Sequence, residues 1–446
     1  MKMMKVIWFL LGLCLLSGCG RLNSMNNNAT SPAPVVIGQD GPADQPASDS
    51  SSHAAAETAG IPAKPERISV KVKGIYMSAY VAGTPAMMDA IIEEIDRTEI
   101  NALVIDLKDD FGRIVCSMDS PTVTELEAVR VYISDMEGMM KKLKEHNIYT
   151  IARIPAFRDS WLGERKPEWC IHNADGTLFT DRDGNTWANP YRQEVWDYLA
   201  EISIEAGKLG FDEIQFDYVR FCTEKRMDHV VFDDSDVKGR SRTDIICEFM
   251  EYQYSILKAE GLFVSADVFG AIINSDVNAD AVGQLYGDMA QYLDYISPMI
   301  YPSHYANGNF GIEYPDTEPY RTVMAALSES RKELYFAAQN GGHIAEVRPW
   351  LQDFTATWLT NHIPYTGAEV RAQIQAVYDA GYDEWLLWDA SCNYEWEGLL
   401  SPAAADEETG QVAQSRAALT ETTFAPPETE ETEEAAGLKT AGDYTE

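Results

Sequence analysis

Gly210-Phe211-Asp212-Glu213-Ile214-Gln215-Phe216-Asp217-Tyr218-Val219-Arg220-Phe221 is a short apolar, alternating run that ends in an acid, an aromatic and an arginine. It follows a long amphipathic segment, 192–209, and a glycine able to stop that helix. A buried barrel strand delivers a carboxylate to the open end of a (β/α)8 barrel in this way, and barrel enzymes place their chemistry at that end. The stretch predicts a strand at 213–216, with Asp217 facing a pocket and Asp212 and Glu213 as loop charges at the opposite end.

Outward from this strand the same unit repeats. β-rich apolar runs fall at 72–80, 102–107, 149–154, 213–216, 263–268, 295–300, 346–351 and 384–388. Helical spacing fits 85–97, 131–145, 192–209, 243–260, 279–292, 320–334 and 367–380, and Gly210, Gly261 and Gly381 stand at the C′ position of three of them. Alternation of short strands with longer helices predicts an α/β fold with a parallel sheet. An open doubly wound sheet is the main rival, but no GxGxxG follows the first strand. The expected fold is a (β/α)8 TIM barrel over residues 67–401, with the eighth helix short or absent because 393–400 leaves little room.

The ends of the chain read differently. Lys2 and Lys5 precede an apolar core at 6–16 that closes in Leu16-Ser17-Gly18-Cys19. This is a signal peptide by composition, too short for a comfortable membrane span. The cysteine at the end of the core looks like a bacterial lipobox, so residues 1–19 are expected to be a lipoprotein signal with lipidation at Cys19. That would tether the protein extracytoplasmically to a bacterial membrane. Residues 20–66 are rich in Asn, Ser, Pro, Ala and Gly and are expected to be a disordered linker. Residues 402–446 are expected to be a disordered acidic tail.

The formal net charge of -36 argues against nucleic acid as a partner, because phosphates need Lys and Arg. Cys116, Cys170, Cys222, Cys247 and Cys392 form an odd, widely spaced set without a CxxC. Buried free thiols and one or two disulfides both fit. HExxH, GxSxG, GxxxxGK[ST] and EF-hand patterns are absent, so no metal or other cofactor is expected.

The strand ends carry acids and aromatics instead. Asp106, Asp217, Asp267 and Asp389 end strands two, four, five and eight, while Tyr301 ends strand six and Trp350 lies in strand seven. Glycosidic cleavage needs two carboxyl groups flanking the bond. Asp217 and Asp267 come from neighbouring strands and form the expected catalytic pair, with Asp217 as nucleophile or base and Asp267 as acid. Asp106, Arg220, Tyr301, Trp350 and Asp389 are the expected substrate groove. The long connection between strands three and four adds Trp187 and Asn189, although Asn189-Pro190 equally fits a helix start. Asp109 and Asp110 read as a solvated turn before Gly112.

Taken together, Val72-Lys73-Gly74-Ile75-Tyr76, Asp106-Leu107-Lys108-Asp109-Asp110, Trp187-Ala188-Asn189-Pro190-Tyr191, Arg348-Pro349-Trp350-Leu351-Gln352-Asp353 and Trp388-Asp389-Ala390 resemble the putative glycosyl hydrolase domain family. The resemblance covers about residues 70–400. It implies a barrel of the glycoside hydrolase superfamily type. In it, Asp217 resembles a catalytic acid position and Asp267 stands where many such barrels carry Glu. The expected function is hydrolysis of a glycosidic bond in an extracellular or cell-envelope polysaccharide. The rival is a non-catalytic carbohydrate-binding surface lipoprotein. A barrel serving an envelope assembly is a third reading.

Overall fold

The computed structural model describes residues 67–408, apart from 274 and 340. The signal peptide, Cys19, the linker and the tail beyond 408 lie outside the described residues. Among the described residues no helix is long and apolar enough to cross a membrane.

Nine parallel strand segments build a barrel of eight strand positions. They are β1 (Lys73–Met77), β2 (Ala102–Asp106), β3 (Tyr149–Pro155), β4 (Glu213–Asp217), β5 (Phe263–Phe269), β6 (Tyr295–Ile300), β7 (Glu346–Val347), β8 (Trp350–Gln352) and β9 (Trp385–Trp388). Their order is β5-β4-β3-β2-β1-β9-β8-β6-β7, and pairing of β5 with β6 closes the ring. Strands such as Ala-Leu-Val-Ile-Asp of β2 are buried along their whole length, as expected where the outer face packs on helices and the inner face fills the barrel. The expected TIM barrel is therefore the observed fold.

Several boundaries move for local reasons. The seventh strand, expected as one run, is split into β7 and β8 at Arg348-Pro349. Pro349 has no N–H for the ladder, and its carbonyl accepts from Leu386 N at 2.9 Å. The first strand stops at Met77, where Ser78 caps the one-turn helix Ala79–Ala82. The helix expected from 131 begins only at Met136, capped by Asp135. The helix expected at 279–292 breaks into Asp276–Val282 and Tyr286–Met289. Gly283 sits between them at φ +80°, and a Cβ there would lie 2.7 Å from the Arg242 carbonyl. After β9 comes only a short turn at Trp396–Gly398. Residues 402–408 are helical, and Glu408 pairs with Arg371 at 3.4 Å.

Helix Gln193–Leu209 shows how sequence positions the site. Val195, Trp196, Leu199, Ile202 and Ala206 form its buried stripe. Gly210 then ends it at φ 107°, a left-handed turn that only glycine adopts cheaply. Three residues later β4 begins, and its alternation aims Glu213, Gln215 and Asp217 along one inner face.

That face begins with a buried ion cluster. Arg348 lies 2.9 Å from both Glu213 and Glu384, and its guanidinium stacks 3.6 Å over Tyr295. Tyr149 and Ser265 also donate to Glu213, at 3.1 and 2.5 Å. Glu213, expected as a loop charge, is fully enclosed instead because Arg348 compensates it. The five described cysteines are all free thiols.

Candidate active site

Register brings the acids together. Asp106 of β2 is the ladder partner of Arg153 on β3, and Pro155 of β3 is the partner of Asp217 on β4. Phe216 pairs with Ala266, so the next residues, Asp217 and Asp267, stand side by side on adjacent strands at the open end.

Arg153 is the hub. It is 3% exposed. Its Nη1 lies 2.7 Å from Asp106 Oδ1, its Nη2 lies 2.9 Å from Asp110 Oδ1, and its Nε and Nη2 both reach Asp217 Oδ2, at 2.9 and 2.6 Å. Burial alone would pull its pKa down, but the three carboxylates outweigh that and hold it well above the usual arginine range. Asp110, expected with Asp109 in a solvated turn, is thus drawn to Arg153. Asp109 closes the expected turn, accepting from the backbone of Phe111 and Arg113, but it is not solvated: its Oδ2 is enclosed, and burial raises its pKa. Arg153 escaped the sequence reading, which searched strand ends for acids and aromatics. The signal was a lone arginine in the otherwise apolar run Tyr149-Thr150-Ile151-Ala152-Arg153-Ile154-Pro155.

Asp217 spends its oxygens on defined partners. Oδ2 accepts twice from Arg153, and Oδ1 accepts from Tyr218 N at 2.6 Å. Tyr218 sits at φ 49°, a conformation costing a side-chain-bearing residue about 1–2 kcal/mol. Such strain gathers at functional sites. Three of the roughly four lone-pair positions of the carboxylate are used, leaving one for a reactant.

Asp267 is the opposite kind of acid. It is 3% exposed and accepts one side-chain hydrogen bond, from Trp350 Nε1 at 2.7 Å. Burial first, and then the negative charge of Asp217, push its pKa well above the carboxylate range. Two adjacent acids are therefore differentiated: one tied to a guanidinium, the other favoured in its protonated form. Trp350, expected in the groove, is fully buried and acts on Asp267 from behind.

The other expected site residues sort by their contacts. Asp106 also accepts from Tyr76 Oη at 2.6 Å, and Tyr76 packs on Trp388 with ring centroids 4.4 Å apart. Tyr301 is buried, and burial followed by the charges of Asp267 and Asp217 raises its pKa well above the usual range. Its ring continues into His304, Phe354 and Trp358, with centroids 5.2 Å from Tyr301 to His304, 5.9 Å from Tyr301 to Phe354 and 5.9 Å from Phe354 to Trp358. Trp358 is 43% exposed and stacks at 24° on Phe354. It was not singled out from sequence because it lies beyond the strand end. Asp389 stands at the end of β9, but its Oδ1 accepts from Ser391 N and Asn393 N at 2.7 and 3.1 Å. It closes a turn, as a strand-end Asp can. Asn189 likewise accepts from Tyr191 N at 3.0 Å. It lines a surface depression of about 450 Å³, shared with Cys170, His172 and Arg192, whose lining includes none of the strand-end acids. Trp187 is buried and donates to Asp181 at 3.3 Å.

Arg220 lies three residues beyond β4, among aromatic rings. Its guanidinium is 5.1 Å from Trp187, 5.2 Å from Tyr218 and 4.5 Å from Phe269. Such contacts contribute about 0.5–2 kcal/mol each, set against a cost of several kcal/mol for enclosing an ion. No group of three or more His, Cys, Asp or Glu among the described residues is arranged to hold a metal ion.

No curated protein matches the chain. A hypothetical protein from Ruminiclostridium thermocellum ATCC 27405 is 34% identical, over 44% of this chain and 97% of its own, with a TM-score of 0.40. The PgaB (BpsB) glycoside hydrolase domain from Bordetella bronchiseptica is 11% identical, over 73% of this chain and 94% of its own, with a TM-score of 0.50. Alpha-L-fucosidase isoenzyme 2 from Paenibacillus thiaminolyticus is 14% identical, over 79% of this chain and 49% of its own, with a TM-score of 0.48. The likeness to the PgaB domain concerns the fold alone. The profile of the putative glycosyl hydrolase domain family matches residues 74–394, and the chain belongs to that family.

Proposed function

We propose that the barrel hydrolyses a glycosidic bond, with Asp217 as nucleophile and Asp267 as acid and then base. The observation that carries this reading is the side-by-side placement of two carboxyl groups in opposite environments. Neighbouring strands are about 4.7–4.9 Å apart. Side chains one strand apart on one face suit the roughly 5–5.5 Å of retaining pairs better than the ~6.5–9.5 Å of inverting pairs. In the first step, Asp217 attacks the anomeric carbon as the bond to the leaving oxygen breaks, and Asp267 gives that oxygen its proton. In the second, Asp267 takes a proton from water, whose oxygen displaces Asp217. Arg153 fixes the attacking carboxylate, and Trp350 fixes the acid.

The proposal includes the address. Cys19 carries lipid and holds the barrel extracytoplasmically, where it meets polysaccharide. Metabolic labelling with a fatty acid, lost in Cys19→Ser, checks this.

The test of activity is reducing-end release from a panel of polysaccharides and aryl glycosides by the full chain, beside Asp217→Asn. Turnover that disappears in the variant is the expected result. Glycan binding by both proteins without turnover of any substrate would favour the carbohydrate-binding rival.

A further inference from the structure

We propose that Arg220 recognises an anionic group on the sugar, so that the natural substrate is an acidic glycan. The inference deepens the glycosidase reading, on which it rests for its place beside Asp217.

Four arginines are less than 9% exposed among the described residues: Arg153, Arg158, Arg220 and Arg348. Three of them face carboxylates. Arg153 holds Asp106, Asp110 and Asp217. Arg158 stands 3.8 Å from both Asp110 and Asp181. Arg348 pairs with Glu213 and Glu384. Arg220 makes no ion pair among the described residues. Its one hydrogen bond runs from Nη1 to the carbonyl of Phe221 at 3.0 Å. Its Nε and Nη2 are not among the fully enclosed atoms that lack a partner, so they keep an opening to solvent.

The nearby charges do not quench it. Asp217 is already committed to Arg153 and to its own neighbour's amide. Arg158 donates to the Tyr218 hydroxyl at 3.0 Å and adds positive charge. Burial pulls the Arg220 pKa down, the direction expected of a cation without full compensation. A neutral hydroxyl would leave that charge unmatched. A planar oxyanion, such as the carboxylate of a uronic acid, matches the guanidinium fork presented by Nε and Nη2. Tyr218 and Phe269, both partly exposed beside it, supply apolar surface for the ring that bears the anion.

The experiment uses the full chain and two matched sets of polymers: polygalacturonate, alginate and hyaluronate against mannan, dextran and a mixed β-glucan. Affinity electrophoresis reads binding, and reducing-end assays read turnover. At least one acidic polymer is expected to bind better than every neutral one, by about tenfold or more. Arg220→Gln removes that preference, Arg220→Lys restores part of it, and added salt weakens it. If Arg220→Gln unfolds by circular dichroism, competition against the wild type decides: free galacturonate displaces the polymer and galactose does not. Preference for a neutral polymer, or equal binding of the acidic one by folded Arg220→Gln, overturns the inference. Neutral-polymer turnover independent of Arg220 sinks this inference and leaves the glycosidase reading standing. Arg220-dependent acidic binding without turnover does the reverse, and neither binding nor turnover on any polymer overturns both.

Discussion

Asp267→Asn separates the role of this acid from its mere presence. The change keeps the acceptor that Trp350 uses at 2.7 Å and removes only the titration. Burial and the neighbouring Asp217 charge raise the folded pKa of Asp267, so the native state binds its proton more tightly than the unfolded chain, whose Asp titrates near 3.9. Below about pH 4 both states are protonated and the substitution is nearly neutral. As pH rises from there to the folded pKa, the wild type loses stability relative to the variant, by about 1.4 kcal/mol per pH unit. Above the folded pKa the difference is constant, so the onset of the plateau measures that pKa. Urea unfolding of both proteins at half-unit steps of pH gives the curve. For activity, loss of a general acid costs about 10²–10⁴-fold. The loss in kcat/KM, which reports cleavage of the glycosidic bond, should fall mainly on poor leaving groups, because an aryl glycoside with an acidic phenol needs little proton donation. A stability difference that is flat with pH, or an equal loss of kcat/KM on both substrate types, would refute the assignment.

Arg153→Met leaves Asp106 and Asp217 enclosed without their partner, and is expected to destabilise the barrel by about 3–5 kcal/mol in urea at pH 7. Arg153→Lys, lacking the fork that spans three acids, recovers only part. Asp353, whose pKa burial pushes up to about 7, makes the wild type less stable as pH rises from about 4 to about 7, by on the order of 4 kcal/mol. Asp353→Asn should flatten that stretch of the pH–stability curve. Trp358→Ala removes a half-exposed ring, so its unfolding free energy in urea should stay within about 0.5 kcal/mol of wild type. Its affinity for the cleaved polymer should fall, while small aryl glycosides are unaffected.

The barrel was legible because each strand is a short apolar run and helices end at residues such as Gly210, whose conformation no other residue adopts cheaply. The neighbouring placement of Asp217 and Asp267 was legible because inward residues near the C-terminal ends of adjacent barrel strands face the mouth. Partners were not legible, because a sequence does not show which inward residues share a layer. Arg153 on β3 meets Asp217 on the neighbouring β4, and Arg348 meets Glu213 across the barrel, separated by 135 residues. The same limit explains Asp389 and Asn189. Both occupy positions that suit a site, yet each gives its Oδ1 to backbone N–H groups two to four residues on. Trp350 was expected in the substrate groove, and only the structure shows it buried behind Asp267.

The most direct measurement is azide rescue of Asp217→Ala on whichever substrate the wild type cleaves. Removing the carboxylate opens a space facing the Arg153 guanidinium, which an azide anion can fill. The account predicts that turnover falls by at least about 10³-fold, returns with millimolar azide, and yields a glycosyl azide. Turnover in Asp217→Ala equal to wild type without azide would contradict it.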